Sequence, residues 1–282
     1  MSFVICTRNR ADRLGACLDR VPWEALAARD GELVLVDNGS TDGTSAVAGS
    51  YAARHGARMR VVSEPRAGLS RARHAGGRAA AGELIVFTDD DCYIDASYPE
   101  RVDEVFRGLP LDFCGGRILL HDPSDARYVI NEDPVARFIR PSAALRPGAF
   151  QGANLATRWS VLEAAGGFDP RLDVGTPFRC GDIEWCARAH MRGFRGGHRP
   201  ELVVYHHHGR KPGADLDALK RENAFARGSY YMLMTARGQW RYGLRWVLDQ
   251  AGRRSPGTMY HELRGAVAFA WWVVRHGGAE EA

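Results

Sequence analysis

The sequence of 282 residues lacks a long apolar run, and this absence bears on where the protein resides. Its longest apolar stretch, AVAFAWWVV at 266–274, is about half of the ~20 residues that a membrane-spanning helix needs. The N-terminus, MSFVICTRNR, enters a strand pattern directly and shows no extended apolar region typical of a secretion signal. We therefore expect a cytoplasmic protein, with peripheral contact at the inner face of a membrane left open.

Paired cysteines and clustered charges are also missing. The six cysteines include no C-x-x-C pair and no zinc-like spacing, so we expect buried free thiols in a reducing compartment. The net charge of +4 is modest, and the arginines are spread along the chain rather than run together. We therefore expect no nucleic-acid partner.

Glycine is absent from CTRNRADR at 6–13, the turn that follows the first predicted strand. A dinucleotide-binding fold carries G-x-G-x-x-G at this place, because the glycines let the backbone approach the pyrophosphate. The sequence therefore argues against nicotinamide and flavin cofactors.

What the sequence does contain is an alternation of strands and helices over about the first hundred residues. The predicted strands, SFVICT, ELVLVD, MRVVSE and ELIVFTD, are short and continuously apolar. This pattern predicts an α/β fold with a parallel sheet covered by helices on both faces. In such sheets ligands bind beyond the carboxyl ends of the strands. Thr7, Asp37 and the run from Asp89 to Asp91 fall at those ends and should line one crevice.

Beyond about Asp112 the pattern changes to mixed segments, and a Gly/Pro-containing break follows at HHHGRKPGAD. The tail after this break is helical in character and rich in aromatic residues and arginine. We predict a main domain of residues 1–212, with halves 1–111 and 112–212, and a helical C-terminal extension over 213–282. Aromatic-rich helices favour internal packing or a homodimer contact, and a membrane-surface contact is the alternative.

Three consecutive carboxylates, Asp89, Asp90 and Asp91, follow the fourth predicted strand. Adjacent carboxylates repel by ~4 kcal/mol per pair about 4 Å apart in a surface-like dielectric, so a positive partner is needed. Mg²⁺ or Mn²⁺ fits, because hard cations bind carboxylates together with substrate phosphates. A solvated acidic loop is the alternative. In the strand ELVVYHHH, His206 and His208 share a face, and a crevice-facing histidine would add an imidazole ligand.

The segment CGDIEWCARAHMRGF offers a candidate catalytic base. Asp182 and Glu184 point in directions ~200° apart on a helix, so only one of them can face the crevice. Glu184 has Arg188 four residues on, a stabilising helical ion pair, which leaves Asp182 as the candidate base. An ordinary helix N-cap is the alternative for Asp182.

In this order and at these intervals, the motifs resemble those of the family 2 glycosyltransferases, inverting enzymes of the GT-A fold with a D-x-D motif. The resemblance covers about the first three-quarters of the chain and rests on VICTRNRADRLGACL, LVLVDNGSTDGT, GLSRARHAGGRAAAGELIVFTDDD, GANLATRWSVLEAAGGFDPRL, GDIEWCARAHMRGF and PELVVYHHH. It implies a Rossmann-like, mostly parallel sheet flanked by helices. It also implies a nucleotide-diphosphate sugar donor of the UDP, dTDP or GDP type and an unidentified hydroxyl acceptor on a polysaccharide, glycolipid or natural product.

The resemblance further implies roles for particular residues. Asp91 would bind Mn²⁺ or Mg²⁺, with His206 and His208 as candidate further ligands, and Asp182 would be the general base of a single inverting displacement. The residues implied to contact the donor nucleotide are Thr7, Arg8, Asp37, Asn38, Arg73, Asp89 and Asp90. Those implied for the sugar and acceptor pocket are Gly152, Asn154 and Glu184.

The sequence departs from the family pattern at two positions, and two other functions are alternatives. Gly181 stands before Asp182 where the family usually has Glu, and His74 replaces an amide in the segment ARH. A sugar nucleotidyltransferase usually carries a Gly-rich phosphate loop after the first strand, which CTRNRADR does not supply. A non-catalytic module that binds nucleotide sugars or carbohydrates would need no base such as Asp182.

Overall fold

The structure, a computed structural model, describes residues 1–140, 143–172, 174–253 and 255–276. In these residues nine strands form one sheet. They are β1 Ser2–Thr7, β2 Glu32–Asp37, β3 Met59–Ser63, β4 Leu84–Asp89, β5 Cys92–Ile94, β6 Phe113–Leu120, β7 Arg137–Phe138, β8 Leu155–Arg158 and β9 Gly196–His206. The α-helices of the same residues are α1 Leu14–Leu18, α2 Trp23–Ala27, α3 Thr44–His55, α4 Leu69–Ala79, α5 Tyr98–Gly108, α6 Trp159–Ala164, α7 Gly181–Met191, α8 Ala214–Ala236, α9 Trp240–Arg253 and α10 Pro256–His276. Gly56–Arg58 and Gly152–Asn154 form short 3-10 helices.

The strand order is β3-β2-β1-β4-β8-β6-β9-β5, with β7 pairing at β9. The first four strands in this order are parallel, as predicted. Strand β8 runs antiparallel to both of its neighbours, β4 and β6. The sheet is therefore parallel in its N-terminal half and mixed beyond β4, and the predicted α/β class with C-terminal helices is confirmed.

Both faces of the sheet are buried, which explains the continuous apolar strands. In β1, Phe3 and Ile5 pack with the core layer on one face, whereas Val4 and Cys6 pack with the layer on the other. Helix α4 lies close against the second of these faces at Gly76. A Cβ at Gly76 would overlap the side chain of Val4, so glycine lets α4 approach the sheet. This packing fixes the carboxyl ends of β1, β2 and β4 relative to one another.

The C-terminal helices belong to the same body as the sheet. Tyr230 and Tyr231 of α8 and Phe269 of α10 are buried in the core cluster that also contains Trp185 of α7. The internal packing favoured for the aromatic residues is thus observed for these side chains. The domain boundary at 212/213 stays a prediction, and residues 277–282 of the predicted extension lie outside the described residues. Within the described residues, no helix is both long and apolar enough to cross a bilayer.

Candidate active site

A cavity of about 650 Å³ lies beyond the carboxyl ends of β1, β2 and β4. The strand register aligns these ends, because Thr7 pairs with Asp37 and Cys6 pairs with Asp89. Ten of the predicted site residues line the cavity: Thr7, Arg8, Asn38, Arg73, Asp89, Asp90, Asp91, Gly152, Asp182 and His206. Four others do not line it: Asp37, Asn154, Glu184 and His208.

Asp90 is the most deeply held of the three consecutive carboxylates. The hydroxyl of Thr7 donates a hydrogen bond of 2.7 Å to Asp90 Oδ2. Burial, together with the charges of Asp91 and Asp89, raises the pKa of Asp90 to about 6, even though Thr7 and Arg10 act in the opposite direction. The carboxyl group of Asp90 therefore takes up a proton at a higher pH than an ordinary aspartate does, although it is still mostly ionised at neutral pH.

Arg10 supplies positive charge that the sequence motifs did not single out. Its Nε lies 3.6 Å from Asp90 Oδ1, and its Nη2 lies 3.9 Å from Asp91 Oδ2. The backbone N–H of Arg10 donates to Thr44 Oγ1 at 2.8 Å, which ties this turn to the start of α3. The glycine-free turn at 6–13 was the available sequence signal, since it places an arginine directly beyond β1.

Asp91 and His206 form the best candidate metal site. Asp91 Oδ1 lies 3.2 Å from His206 Nε2, and Cys92 pairs with His206 between β5 and β9. Burial acts to raise the pKa of Asp91, but the hydrogen bond and charge of His206 and the charge of Arg10 outweigh it and lower the pKa. His206 Nδ1 is buried and has no hydrogen-bond partner among the described residues.

The donor set at this place fits a hard divalent cation. Carboxylate oxygens suit Mg²⁺ and Mn²⁺, and a neutral imidazole is a common additional ligand. The thiol of Cys92 also lies near Asp91 and His206. Burial raises the pKa of Cys92 well above its usual value, and a soft sulfur ligand suits Mg²⁺ and Mn²⁺ less well than oxygen ligands do. Asp91 and His206 are therefore the side chains that fit the predicted ion.

Arg73 connects the acidic cluster to the candidate base. Its Nη2 donates to Asp89 Oδ1 at 2.9 Å, and its guanidinium lies directly against Gly152, where a Cβ would overlap it. The backbone N–H of Gly152 donates to Asp182 Oδ2 at 2.9 Å, and the N–H of Ile183 donates to Asp182 Oδ1 at 2.7 Å. Two backbone donors thus orient the Asp182 carboxylate in the first turn of α7.

Asn154 does not line the cavity, contrary to the prediction for the sugar pocket. Its side chain is 1% exposed and accepts a hydrogen bond of 2.6 Å from the hydroxyl of Tyr98. Its Nδ2 donates to the carbonyls of Arg117 and Leu202, at 2.8 and 3.0 Å. Asn154 therefore joins α5, β6 and β9 and does not face the cavity.

Glu184 is also absent from the cavity, although it was predicted to lie in the acceptor pocket. The side chain is fully buried and accepts two hydrogen bonds from Arg188, at 2.8 and 2.9 Å. Arg237, just after α8, also donates to Glu184. The carboxylate forms ion pairs with both arginines and thereby joins α7 to the C-terminal helices. The structural ion pair inferred from the i,i+4 spacing is present.

His208 is not available as a metal ligand in this structure. Its Nδ1 accepts a hydrogen bond of 2.9 Å from the backbone N–H of Arg210, so its Nε2 carries the proton that is shared with the carbonyl of Ala126 at 3.1 Å. Burial, with the charges of His206 and Arg210, lowers the pKa of His208, which agrees with a neutral ring. His206 is therefore the better placed candidate ligand, and the role predicted for His208 stays a prediction that these hydrogen bonds do not favour.

Asp37 and Asn38 at the end of β2 both hold the local backbone. Asp37 accepts from the N–H of Ser40 at 3.0 Å and from the hydroxyl of Ser45, so its carboxylate is directed into its own turn. Asn38 Oδ1 accepts from the N–H of Gly68 at 2.8 Å, which fastens the loop before α4. Asn38 borders the cavity, whereas the position predicted for Asp37 there is not observed.

Part of the cavity lining is formed by residues that no motif indicated. It includes Tyr128, Arg179, Arg210, Asn223 and Arg227. Asn223 Nδ2 donates to the hydroxyl of Tyr128 at 2.6 Å, which joins the loop after β6 to α8. Only Arg210 had a nearby sequence signal, because it follows the histidine run at 206–208. The cavity lining thus includes residues of the predicted C-terminal extension, whose role the sequence had left open.

Solved structures share this arrangement of sheet and helices. The mannosyltransferase PcManGT of Pyrobaculum calidifontis, in complex with GDP-Man and Mn²⁺, matches 98% of this chain and 75% of its own, with a TM-score of 0.62 and 20% identity. TarS of S. aureus, in complex with UDP-GlcNAc, matches 80% of this chain and 65% of its own, with a TM-score of 0.58 and 18% identity. The fold is that of the GT-A glycosyltransferases.

Sequence comparison gives the family. Residues 2–166, more than half of the chain, match the family described as Glycosyl transferase family 2, and the protein belongs to this family. Glycosyltransferase AglE of Haloferax volcanii is 24% identical over 274 residues, which are 97% of this chain and 80% of AglE. The predicted glycosyltransferase class is therefore confirmed.

Proposed function

We propose that the protein transfers a sugar from a nucleoside diphosphate sugar to an acceptor hydroxyl, with inversion at the anomeric carbon. The observation that carries this proposal is the meeting of two acidic elements in one cavity. The carboxylates after β4 approach from the N-terminal half, and Asp182 approaches from the start of α7. The GDP-Man of PcManGT and the UDP-GlcNAc of TarS support a donor of this class.

A divalent cation, Mg²⁺ or Mn²⁺, would be held by Asp91 and His206, whose ligand atoms already lie 3.2 Å apart. When bound, such an ion supplies Lewis-acid stabilisation of the charge that develops on the leaving diphosphate. The Mn²⁺ of PcManGT supports this choice of ion. Arg10, which lies beside Asp90 and Asp91, would add positive charge near the phosphate oxygens. Arg73, which is paired with Asp89, would do the same. Thr7, Arg8 and Asn38 would form the nucleoside end of the site.

Asp182 would act as the general base. A hydrogen-bonded carboxylate held by the backbone at Gly152 and Ile183 has a fixed direction, which positions it against an acceptor hydroxyl. The hydroxyl oxygen attacks the anomeric carbon from the face opposite the leaving group, and its proton passes to Asp182. The electron pair of the broken glycosidic bond stays on the diphosphate oxygen. One displacement of this kind inverts the anomeric configuration.

Binding of UDP, dTDP and GDP, each with and without Mn²⁺, tests the donor and metal assignments by calorimetry. We expect one nucleotide to bind with metal dependence, and Asp91→Ala and His206→Ala to abolish the Mn²⁺ effect. Glu104→Ala is the matched control, because Glu104 is an exposed carboxylate of α5 that lies outside the cavity lining and outside the groups of side chains that could hold a metal ion. Binding of no nucleotide, or loss of the Mn²⁺ effect in the control as well, would contradict the proposal.

A further inference from the structure

Helices α9 and α10 each carry an apolar stripe that faces solvent. The stripe residues are between 50% and 77% exposed and recur at helical spacing. They are Trp240, Leu244, Val247 and Leu248 on α9, and Tyr260, Leu263, Val267, Trp271 and Val274 on α10. This set is called the outer face below.

The outer face is distinct from the sides of α9 and α10 that pack on the protein. Helix α10 lies tightly against α8, where the hydroxyl of Ser229 donates to the carbonyl of Gly265 at 3.0 Å. A Cβ at Gly265 would overlap the α8 backbone at Phe225, so this side of α10 is in direct contact with α8. Helix α9 is joined to α10 by Trp246 Nε1, which donates to Glu262 Oε2 at 2.9 Å. The outer stripes lie on the opposite sides of the two helices.

Charge on these two helices is distributed unequally. The acidic residues of the described parts of α9 and α10 are Asp249 and Glu262, and both point inward. The Asp249 side chain is 12% exposed, and Glu262 is fully buried and ion-paired with Arg227 at 2.9 Å. The arginines Arg241, Arg245, Arg264 and Arg275 are half-buried or exposed. The charge presented beside the apolar stripes in these described helices is therefore positive.

Three of these arginines stand over aromatic rings of the outer face. The guanidinium carbons lie 5.0–5.7 Å from the ring centroids in the pairs Arg241 with Trp240, Arg264 with Tyr260, and Arg275 with Trp271. Aromatic rings beside basic side chains suit the headgroup region of a bilayer, where the ring is partly buried and the cation stays near phosphate.

We propose that the outer face docks the protein onto an anionic lipid surface. A second copy is the less suitable occupant, because a symmetric contact would bring Arg264 and Arg275 towards arginines of the other copy without an exposed acid on either helix. Helix α8 separates the outer face from the cavity, since it contacts α10 on one side and lines the cavity with Asn223 and Arg227 on another. Docking would therefore hold the cavity one helix away from the lipid headgroups.

Co-sedimentation with vesicles tests this proposal without nucleotide, metal or turnover, so its failure is separable from failure of the proposed function. Vesicles of phosphatidylcholine are compared with vesicles that contain about 30% phosphatidylglycerol. We expect binding to the anionic vesicles, with weaker binding at high salt. Trp240→Ser combined with Trp271→Ser should reduce binding at least tenfold. Arg264→Gln combined with Arg275→Gln should reduce it about 30-fold, because each basic residue contributes about 1 kcal/mol at such a surface.

Matched controls replace exposed residues of the N-terminal half. Val61→Ser removes an exposed apolar side chain on β3, and Arg58→Gln with Arg78→Gln removes two exposed charges. Neither change should alter vesicle binding. Thermal melting checks that each variant is folded, and Val267→Ser replaces the tryptophan variant if that variant melts early.

Three outcomes would overturn the proposal. The first is that the parent does not sediment with anionic vesicles, and the second is that the control variants lose as much binding as the outer-face variants. The third is that light scattering shows a dimer of the parent, that the tryptophan variant is a monomer, and that the parent does not bind vesicles. The last result would assign the outer face to a second copy.

Discussion

Replacing Asp182 by Asn tests the central chemical assignment with little change in side-chain size. In the parent, each carboxylate oxygen accepts from a backbone N–H, at 2.9 Å from Gly152 and 2.7 Å from Ile183. In Asp182→Asn the amide NH₂ must face one of these two donors, so one hydrogen bond is lost. An unsatisfied buried donor costs about 1–3 kcal/mol. The melting temperature of a chain of this size should fall by roughly 2–4 °C per kcal/mol.

The effect of Asp182→Asn on turnover should be larger than its effect on folding. A positioned general base contributes roughly 10²–10⁴-fold to rate, which corresponds to about 2.7–5.4 kcal/mol of barrier. The assay is release of the nucleoside diphosphate from the donor, with water as acceptor where no other is known. We expect kcat to fall by at least 100-fold, while the nucleotide Kd changes by less than about threefold, because the nucleotide end of the cavity is untouched.

The control for this variant is Asp215→Asn, which removes an exposed carboxylate from the first turn of α8 and should leave kcat unchanged. If Asp182→Asn retains nucleotide binding and turns over within about threefold of the parent, Asp182 is not the base. If nucleotide binding is lost together with turnover, the carboxylate serves the donor rather than the acceptor.

Two further substitutions test the surroundings of the cavity. Glu184→Gln leaves Arg188 and Arg237 without their shared buried carboxylate, so the free energy of unfolding should fall by about 3–5 kcal/mol, measured by urea denaturation. Gly152→Ala places a methyl group where the guanidinium of Arg73 lies, so nucleotide binding should weaken by roughly tenfold or more by calorimetry, the cost of a displaced charged hydrogen bond.

Each of these two predictions has a matched control. Asp217→Asn breaks an exposed ion pair with Lys220, which should change the free energy of unfolding by less than about 1 kcal/mol. Gly49→Ala adds a methyl group where α3 faces open space, and should stabilise the helix by about 1 kcal/mol or less without changing nucleotide binding. A Glu184→Gln variant as stable as the parent would show that the buried carboxylate is dispensable.

The sequence was sufficient to predict the positions of site residues that directly follow the ends of strands. Thr7 and the carboxylates of 89–91 come directly after apolar strands, and parallel strands bring their carboxyl ends together. Asp182 was selected over Glu184 by helical geometry and the i,i+4 partner Arg188, and the structure shows the same division between cavity and core. Local periodicity was enough in these cases.

Long-range partners decided the cases in which sequence reasoning failed. The family resemblance, through the segment GANLATRWSVLEAAGGFDPRL, implied a place in the pocket for Asn154. The position of its side chain is instead set by hydrogen bonds to Tyr98, Arg117 and Leu202, which are far away along the chain. The proton on His208 is fixed by backbone groups at 126 and 210, which no spacing indicates. The cavity wall from α8 was missed for the same reason, since helix packing cannot be derived from shared motifs.

The antiparallel strand β8 has a consequence for how the two halves of the main domain depend on each other. Because β8 runs opposite to β4, the segment that enters β8 meets the segment that leaves β4. Residues from the chain before and after position 111 therefore complete a single hydrogen-bonded ladder, with β8 between β4 and β6. Neither half has a full set of strand partners by itself. A chain cut near position 111 should behave as two fragments that refold only together, and the reacting groups would be assembled only when the fragments associate.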